Sequence, residues 1–174
     1  MINVIPNIAA VGDQDSQGKR LFNKIYVILD EEVDYNTLPE IVVSAEARTC
    51  AALTLKEGAK WAEITFAKNT AGRTTEGSQG DVTTAVTNTL TGTVGGHRVE
   101  IDNFLENFVG RAVHVVEVDR FTQKKYILTR PYSPMFVSAF SGRKNADNTS
   151  TDITFSNESF FQPLEYLGSV TNAD

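Results

Sequence analysis

Residues 81–94, DVTTAVTNTLTGTV, alternate between apolar and hydroxyl-bearing side chains. The large apolar residues Val82, Val86, Leu90 and Val94 occupy even positions, whereas most threonines occupy odd positions, namely Thr83, Thr87, Thr89, Thr91 and Thr93. A period of two is the signature of a β-strand with one apolar face and one wettable face. A helix could also align the apolar residues, but β-branched side chains and Gly92 disfavour it. At about 3.3 Å per residue the predicted strand spans roughly 40 Å, which is longer than most strands.

Shorter β patterns lie on both sides of this long strand. Further strands are predicted at 24–30, 61–68, 112–118, 125–129, 135–140 and 152–155. The first of these, KIYVILD, is apolar at consecutive positions, which is typical of a strand buried on both faces. Residues 40–56 predict either two short strands or one bent strand, and Pro6 interrupts a short or edge strand near the amino terminus.

One segment has a convincing helical period. Within 99–109, apolar residues recur at i, i+3, i+4 and i+7, and the stripe consists of Ile101, Phe104, Leu105 and Phe108. Gly110 follows directly and is placed to end the helix. Because the stripe is apolar on one side only, we expect this helix to cover a sheet.

The chain of 174 residues is long enough to bury a core as one domain. We predict a mainly β fold: an antiparallel β-sandwich or barrel of about eight strands, with one flanking α-helix and a long hairpin. The domain is expected to span 1–167, with a flexible carboxyl-terminal tail at 168–174. Two long polar loops are predicted at 69–81 and 141–151, the first of them joining strand 61–68 to the long strand as an extended hairpin.

Composition excludes several classes of protein. Sixteen basic against 22 acidic residues give a formal charge of −6, and the basic residues are scattered, whereas a nucleic-acid binder needs a concentrated basic stripe. No run approaches the roughly 20 apolar residues of a membrane-spanning helix, so no membrane partner is expected. The single cysteine, Cys50, lies in the apolar run TCAALTL and is interpreted as a small buried hydrophobe.

Motifs that would indicate catalysis or metal binding are incomplete. The segment DQDSQGKRLFNK copies the opening of a calcium loop at Asp13 and Asp15, but Lys24 stands where the loop needs a bidentate glutamate. His97 and His114 lack the spacing of a zinc site, and His114 is interpreted as a satisfied strand histidine. GSQG at 77–80 is neither a nucleophile elbow nor a phosphate loop. We therefore predict no catalytic, cofactor-binding or metal-binding residues, and no enzymatic activity.

Residues 60–167 combine an overlong hairpin, the helix VEIDNFLENFVG that leads into the strands of RAVHVVEVDRFTQKKYILT, and a terminal strand of the form TDITFSNESFFQPLEYL. This layout resembles that of the tail-tube and related tail proteins of bacterial viruses. The resemblance implies a subunit that self-associates into rings, commonly hexamers, which stack with each other and with other virion proteins. The stacked rings would enclose a channel in the virion tail, through which DNA passes without specific binding. The resemblance also implies assembly in the host bacterial cytoplasm.

An acidic chain is compatible with such a channel, because like charge keeps DNA from adhering to the wall. The assembly contacts are expected on the two polar loops and on the threonine face of the long strand. The residues proposed for them are Arg73, Thr75, Glu76, Thr87, Thr89, Arg143, Lys144 and Asn145. Two alternatives stay open: another ring or decoration component of a viral head or tail, and a carbohydrate-binding β-sandwich in which Trp61 and tyrosines form a stacking platform.

Overall fold

The computed structural model describes residues 24–81, 84–96, 98–120, 122–144 and 149–170. The sequence interpretations of residues 1–23, which include the calcium-like loop, and those of Val82, Thr83, His97 and Asn145 fall outside these ranges. The strands are β1 (Lys24–Leu29), β2 (Ile41–Val43), β3 (Arg48–Cys50), β4 (Ala62–Thr65), β5 (Gly72–Gln79), β6 (Thr84–Gly95), β7 (Ala112–Val118), β8 (Lys125–Ile127), β9 (Met135–Lys144), β10 (Thr149–Glu158) and β11 (Leu164–Tyr166). A 3-10 turn spans Asp30–Glu32, and the helix α1 spans Val99–Phe108.

All these strands belong to one sheet of 11 strands that does not close on itself. The main order of strands is β2-β3-β11-β8-β7-β9-β10-β6-β5. Outside this order, β1 pairs with β7 on one side and with β4 on the other. Strand pairing is antiparallel except between β11 and β3. A backbone hydrogen bond of 2.7 Å from Ala67 N to Thr93 O links the segment after β4 to β6. The predicted mainly β, sandwich-like architecture with one flanking helix is therefore confirmed.

The larger hydrophobic core is enclosed by β1, β4 and β7 on one side and β6, β9 and β10 on the other. The helix α1 contributes Ile101, Phe104 and Phe108 to this core, and the last two rings stack at 4.8 Å between centroids. The predicted helix is confirmed to within one residue, and Gly110, at a φ of 78°, follows its carboxyl end. Only a residue that tolerates a left-handed conformation fits there without strain.

The second core lies on the other face of β1 and β7. Tyr26, Ile28 and Val116 project from these strands toward β3, β8 and β11, where they pack with Ile127 and Tyr166. Burial on both faces explains the continuous apolar run of β1, and the prediction for that strand is confirmed. Cys50 is only 1% exposed and belongs to the same cluster, and Val170, near the described carboxyl end, is also buried there.

The long strand β6 shows the alternation that its sequence predicts. Leu90 and Val94 are fully buried, whereas Thr87 and Thr91 are exposed. The first residues of β6 are largely exposed, as is almost all of its partner β5. The β5–β6 hairpin therefore extends beyond the core of its own domain.

Two interpretations of the polar segments are wrong. The predicted loop at 69–81 contains β5, which pairs with β6, so the partner of the long strand is not the segment 61–68; β4 pairs with β1 instead. The predicted loop at 141–151 is mostly strand as well, because β9 continues to Lys144 and β10 begins at Thr149. These segments carry no apolar alternation because they cover no core, and only backbone pairing with a neighbouring strand reveals them.

Candidate functional site

The most distinctive surface of the protein belongs to β5, β6, β10 and β9, which are neighbours in that order. Side chains of directly paired residues point to the same face of a sheet. We call the face that carries Leu90, Ile153 and Phe155 toward the core the inner face, and the opposite one the outer face. Polar outer-face residues, all exposed or half-buried, are Thr74, Glu76, Ser78, Thr87, Thr89, Thr91, Thr93, Ser141, Arg143, Ser150, Asp152, Thr154, Ser156 and Glu158.

The part of the sheet formed by β5, β6, β10 and β9, which we call the four-stranded sheet, has two open edges within the described residues. β5 is the last strand of the order, so its side away from β6 has no strand partner. On its side away from β10, β9 pairs with β7 at Met135 and Phe136 and forms a bridge from Val137 to Val109. Beyond Val137 that side of β9 has no described strand beside it. Open edges present unpaired N–H and C=O groups that favour pairing with another strand.

Three of the proposed assembly residues lie close together on the outer face. Glu76 pairs with Thr87 across β5 and β6, and Thr89 lies one outer-face position further along β6. The row continues to Glu158, which pairs with Thr87 from the other side. Sequence reasoning missed Glu158, since only the strand register shows that it shares a row with Glu76.

The remaining described members of that set lie elsewhere. Arg73 and Thr75 pair with Leu90 and Asn88, so both belong to the inner face. Thr75 donates a hydrogen bond of 2.9 Å from its hydroxyl to Oδ1 of the buried Asn88. Arg143 and Lys144 lie at the opposite end of the sheet, where β9 ends, and both are exposed.

Arg73 of the β5–β6 hairpin forms an ion pair with Glu117 of β7. Its Nη1 lies 3.3 Å from Oε1 of Glu117 on β7, and the Glu117 side chain is only 8% exposed. The other oxygen, Oε2, is buried without a hydrogen-bond partner in the described part of the chain. Burial raises the pKa of Glu117 to about 7, although Arg73 acts in the opposite direction.

This raised pKa predicts a pH-dependent stability. The carboxyl ionises near pH 4.5 in the unfolded chain and near pH 7 in the folded one, so the folded state remains protonated up to a higher pH than the unfolded state. The Glu117 contribution to the free energy of unfolding should therefore fall as the pH rises from about 4.5 to about 7, by on the order of 3 kcal/mol, and stay level above. Glu117→Gln should lack this loss and be more stable than the wild type at pH 8, as measured by urea unfolding at each pH. Parallel stability curves for the two proteins would contradict it.

A second buried polar cluster surrounds His114. Its Nε2 lies 2.9 Å from Asp30 Oδ1 and 2.9 Å from the Tyr35 hydroxyl, while Nδ1 lies 2.8 Å from Thr129 Oγ1. The hydrogen bond with His114 holds the pKa of Asp30 below its usual value. The order carboxylate, imidazole, hydroxyl is also that of a hydrolase triad. However, His114 is fully buried and Thr129 is 2% exposed, so the hydroxyl is not accessible from the solvent.

A shallow cleft of about 550 Å³ opens on the outer face beside the row of Glu158 and Thr87. Its other walls come from the segment that precedes β9, with Tyr132, and from the start of β9, with Phe136. Both aromatic side chains are exposed, Tyr132 by 72%. Trp61, in contrast, is 4% exposed and packs edge-on against Tyr166, so the expectation that it forms a stacking platform is wrong.

Among the described residues, no group of three or more His, Cys, Asp or Glu side chains is arranged to hold a metal ion. The helices in the described ranges are all too short or too polar to span a membrane.

No protein-family model matches the chain, and neither a curated protein nor a solved structure shows significant similarity to it.

Proposed function

We propose that the chain is a structural, non-enzymatic subunit of the tail of a bacterial virus. Copies associate side by side into rings, and the rings stack into a tube around a DNA channel. The observation that supports this proposal best is the four-stranded sheet with an open edge on each side, β5 on one and β9 on the other. A ring of six subunits is the expectation that comes with the resemblance to tail-tube proteins.

The directions of the two edge strands favour a ring. β5 and β10 both pair antiparallel with β6, and β9 pairs antiparallel with β10, so β5 and β9 run in opposite directions. β5 of one copy can therefore pair antiparallel with β9 of the next copy and continue the sheet from subunit to subunit. Such a contact joins two different surfaces, and a chain of these contacts closes into a ring when the rotation permits. Closure covers every open edge of this sheet.

In such a ring the outer face is suited to line the channel. The inner face is occupied by the subunit's own core, whereas the outer face is rich in threonine and serine hydroxyls. Its charged residues are Glu76, Asp152 and Glu158 against Arg143, which gives an excess of carboxylates. Because a negative wall repels the phosphate backbone, DNA can pass without being bound.

Disulfide trapping tests the proposed edge contact. Thr74→Cys on β5 combined with Ala139→Cys or Ser141→Cys on β9 places thiols on the same face at the two open edges. Mild oxidation should then give a ladder of covalent oligomers that ends at the number of subunits in the ring, as read on a non-reducing gel. Cys50 does not interfere because it is buried.

The matched controls are the single-cysteine variants, which can form dimers but no longer chains. Electron microscopy of the concentrated wild type provides the second readout and should show rings or tubes. A wild type that sediments as a monomer at high concentration, without rings under any salt condition, would contradict the proposal. Ladders no longer than dimers from both cysteine pairs would contradict the edge contact.

A further inference from the structure

Exposed charges of opposite sign lie at the two ends of the sheet formed by β5, β6, β10 and β9. At one end, Glu76 and Glu158 flank Thr87 in a single cross-strand row. At the other end, Arg143 of the outer face pairs with Ser150, which pairs with Gly95. Lys144, the last residue of β9, pairs with Thr149 and has the register of the inner face. From Thr87 to Gly95 is 95 − 87 = 8 residues of β6, or roughly 27 Å at about 3.4 Å per residue. We call these two regions the acidic end and the basic end.

The charges at both ends are exposed and have no ion-pair partner within the described residues. Glu76, Glu158, Arg143 and Lys144 are all exposed, and no salt bridge involves them. Asp152, the remaining acidic residue of the outer face, lies one outer-face position from the row of Arg143 and accepts a hydrogen bond from the Thr93 hydroxyl. Unpaired charges of opposite sign at opposite ends of these strands make a surface that is complementary to a second copy shifted along the strands.

The cleft adds shape to this complementarity. It lies at the acidic end, beside the start of β9 and the end of β10, and Glu158, Tyr132 and Phe136 are among its lining residues. The basic end is the other end of the same strand, β9. A copy displaced along its own strands therefore brings its basic end to the cleft of its neighbour. Carboxylates and exposed aromatic faces are the two surfaces that attract lysine and arginine side chains.

We propose that Arg143 and Lys144 of a subunit in one ring dock at the acidic end of a subunit in the next ring, with their cationic groups at Glu76, Glu158 and the aromatic wall of the cleft. This inference rests on the proposed ring function and names the contact that stacks the rings. The contact joins different ends, so it repeats without closing and extends a tube. Reversing one ring brings like charges together, so all rings face the same way.

Charge reversal at each end tests the stacking contact. Glu76→Lys with Glu158→Lys makes both ends basic, and Arg143→Glu with Lys144→Glu makes both ends acidic. Each double variant alone should still form rings but raise the critical concentration for tubes by on the order of tenfold or more, since attraction becomes repulsion at several subunits per ring. A mixture of the two doubles should form tubes again, because the rings alternate with opposite charges in contact. Turbidity and electron microscopy measure tube formation, and thermal melting verifies that both variants fold.

Recovery in the mixture separates a charge-specific contact from damage to the subunit. A quadruple variant that carries all four reversals should also form tubes, because its ends have exchanged sign. If each double variant forms tubes at the wild-type concentration, the stacking inference is wrong and the ring proposal stands. If the mixture and the quadruple variant both fail while rings persist, the contact is likewise wrong. A wild type that forms no rings overturns both proposals.

Discussion

Ile153→Asp is expected to unfold the subunit. Ile153 is fully buried in the middle of β10, where its neighbours are Gly92 of β6 and the surrounding apolar side chains of the larger core. An ionised carboxylate there loses its hydration without gaining a partner, and the packing of the isoleucine is lost as well. The free energy of unfolding should fall by on the order of 5 kcal/mol, which is the entire stability of a marginal domain.

The matched control is Thr91→Asp on the adjacent strand. Thr91 pairs with Thr154 and lies on the outer face, where its side chain is exposed. The new carboxylate stays in water, so the change in stability should be within about 0.5 kcal/mol. Far-ultraviolet circular dichroism and urea unfolding distinguish the two variants. Equal stability of both would contradict the assignment of the inner and outer faces, on which the assembly proposals depend.

Gly92→Ala is expected to destabilise the subunit by about 3 kcal/mol, which is large for the addition of one methyl group. A Cβ at Gly92 would overlap the ring of Phe66, which is 1% exposed and belongs to the larger core. Phe66 follows β4, the strand that pairs with β1. The contact between the Phe66 ring and Gly92 therefore packs the β1–β4 side of the core against β6. The ring has no room to retreat, because protein cores are close-packed.

A double-mutant cycle isolates this contact from any effect on the strand itself. Phe66→Leu in the Gly92→Ala background should recover stability, with a coupling of about 1 kcal/mol or more between the two sites in urea unfolding. Gly77→Ala is the control glycine within the projecting hairpin, because its added Cβ would lie 3.7 Å from the nearest atom, Cγ2 of Val86. That change should be neutral or slightly stabilising. Equal losses at Gly92 and Gly77 would show that the ring of Phe66 does not set the requirement.

The parts of the fold that sequence reasoning predicted are those with apolar periodicity. α1 and β7 have side chains that a core must cover, and their bounds agree with the predictions to within a residue. β5 and the far half of β9 could not be recognised, because their exposed polar residues cover no core on either face. The short strand β11 was also missed, since it depends on pairing with β3 and β8, which are distant in sequence.

The candidate surface was predicted only in part for the same reason. The threonine face of β6 follows from alternation, and Thr87 and Thr89 lie on the outer face together with Glu76. Arg73 and Thr75 lie on the opposite face from Glu76, because successive side chains of a strand point to opposite faces of the sheet. The sequence does not reveal that this segment is a strand. The strand register adds Glu158 to the row and moves Arg143 to the far end.

By itself, the sequence determined the β class of this protein, the buried faces of β1 and β6, and the amphipathic helix, because burying apolar side chains is the dominant local signal. Only the tertiary structure decided which strands are neighbours, which edges stay open and where opposite charges accumulate. Backbone pairing between distant polar segments leaves no periodic pattern in the sequence, since every residue offers the same N–H and C=O groups. The surface proposed for assembly is built from such pairing.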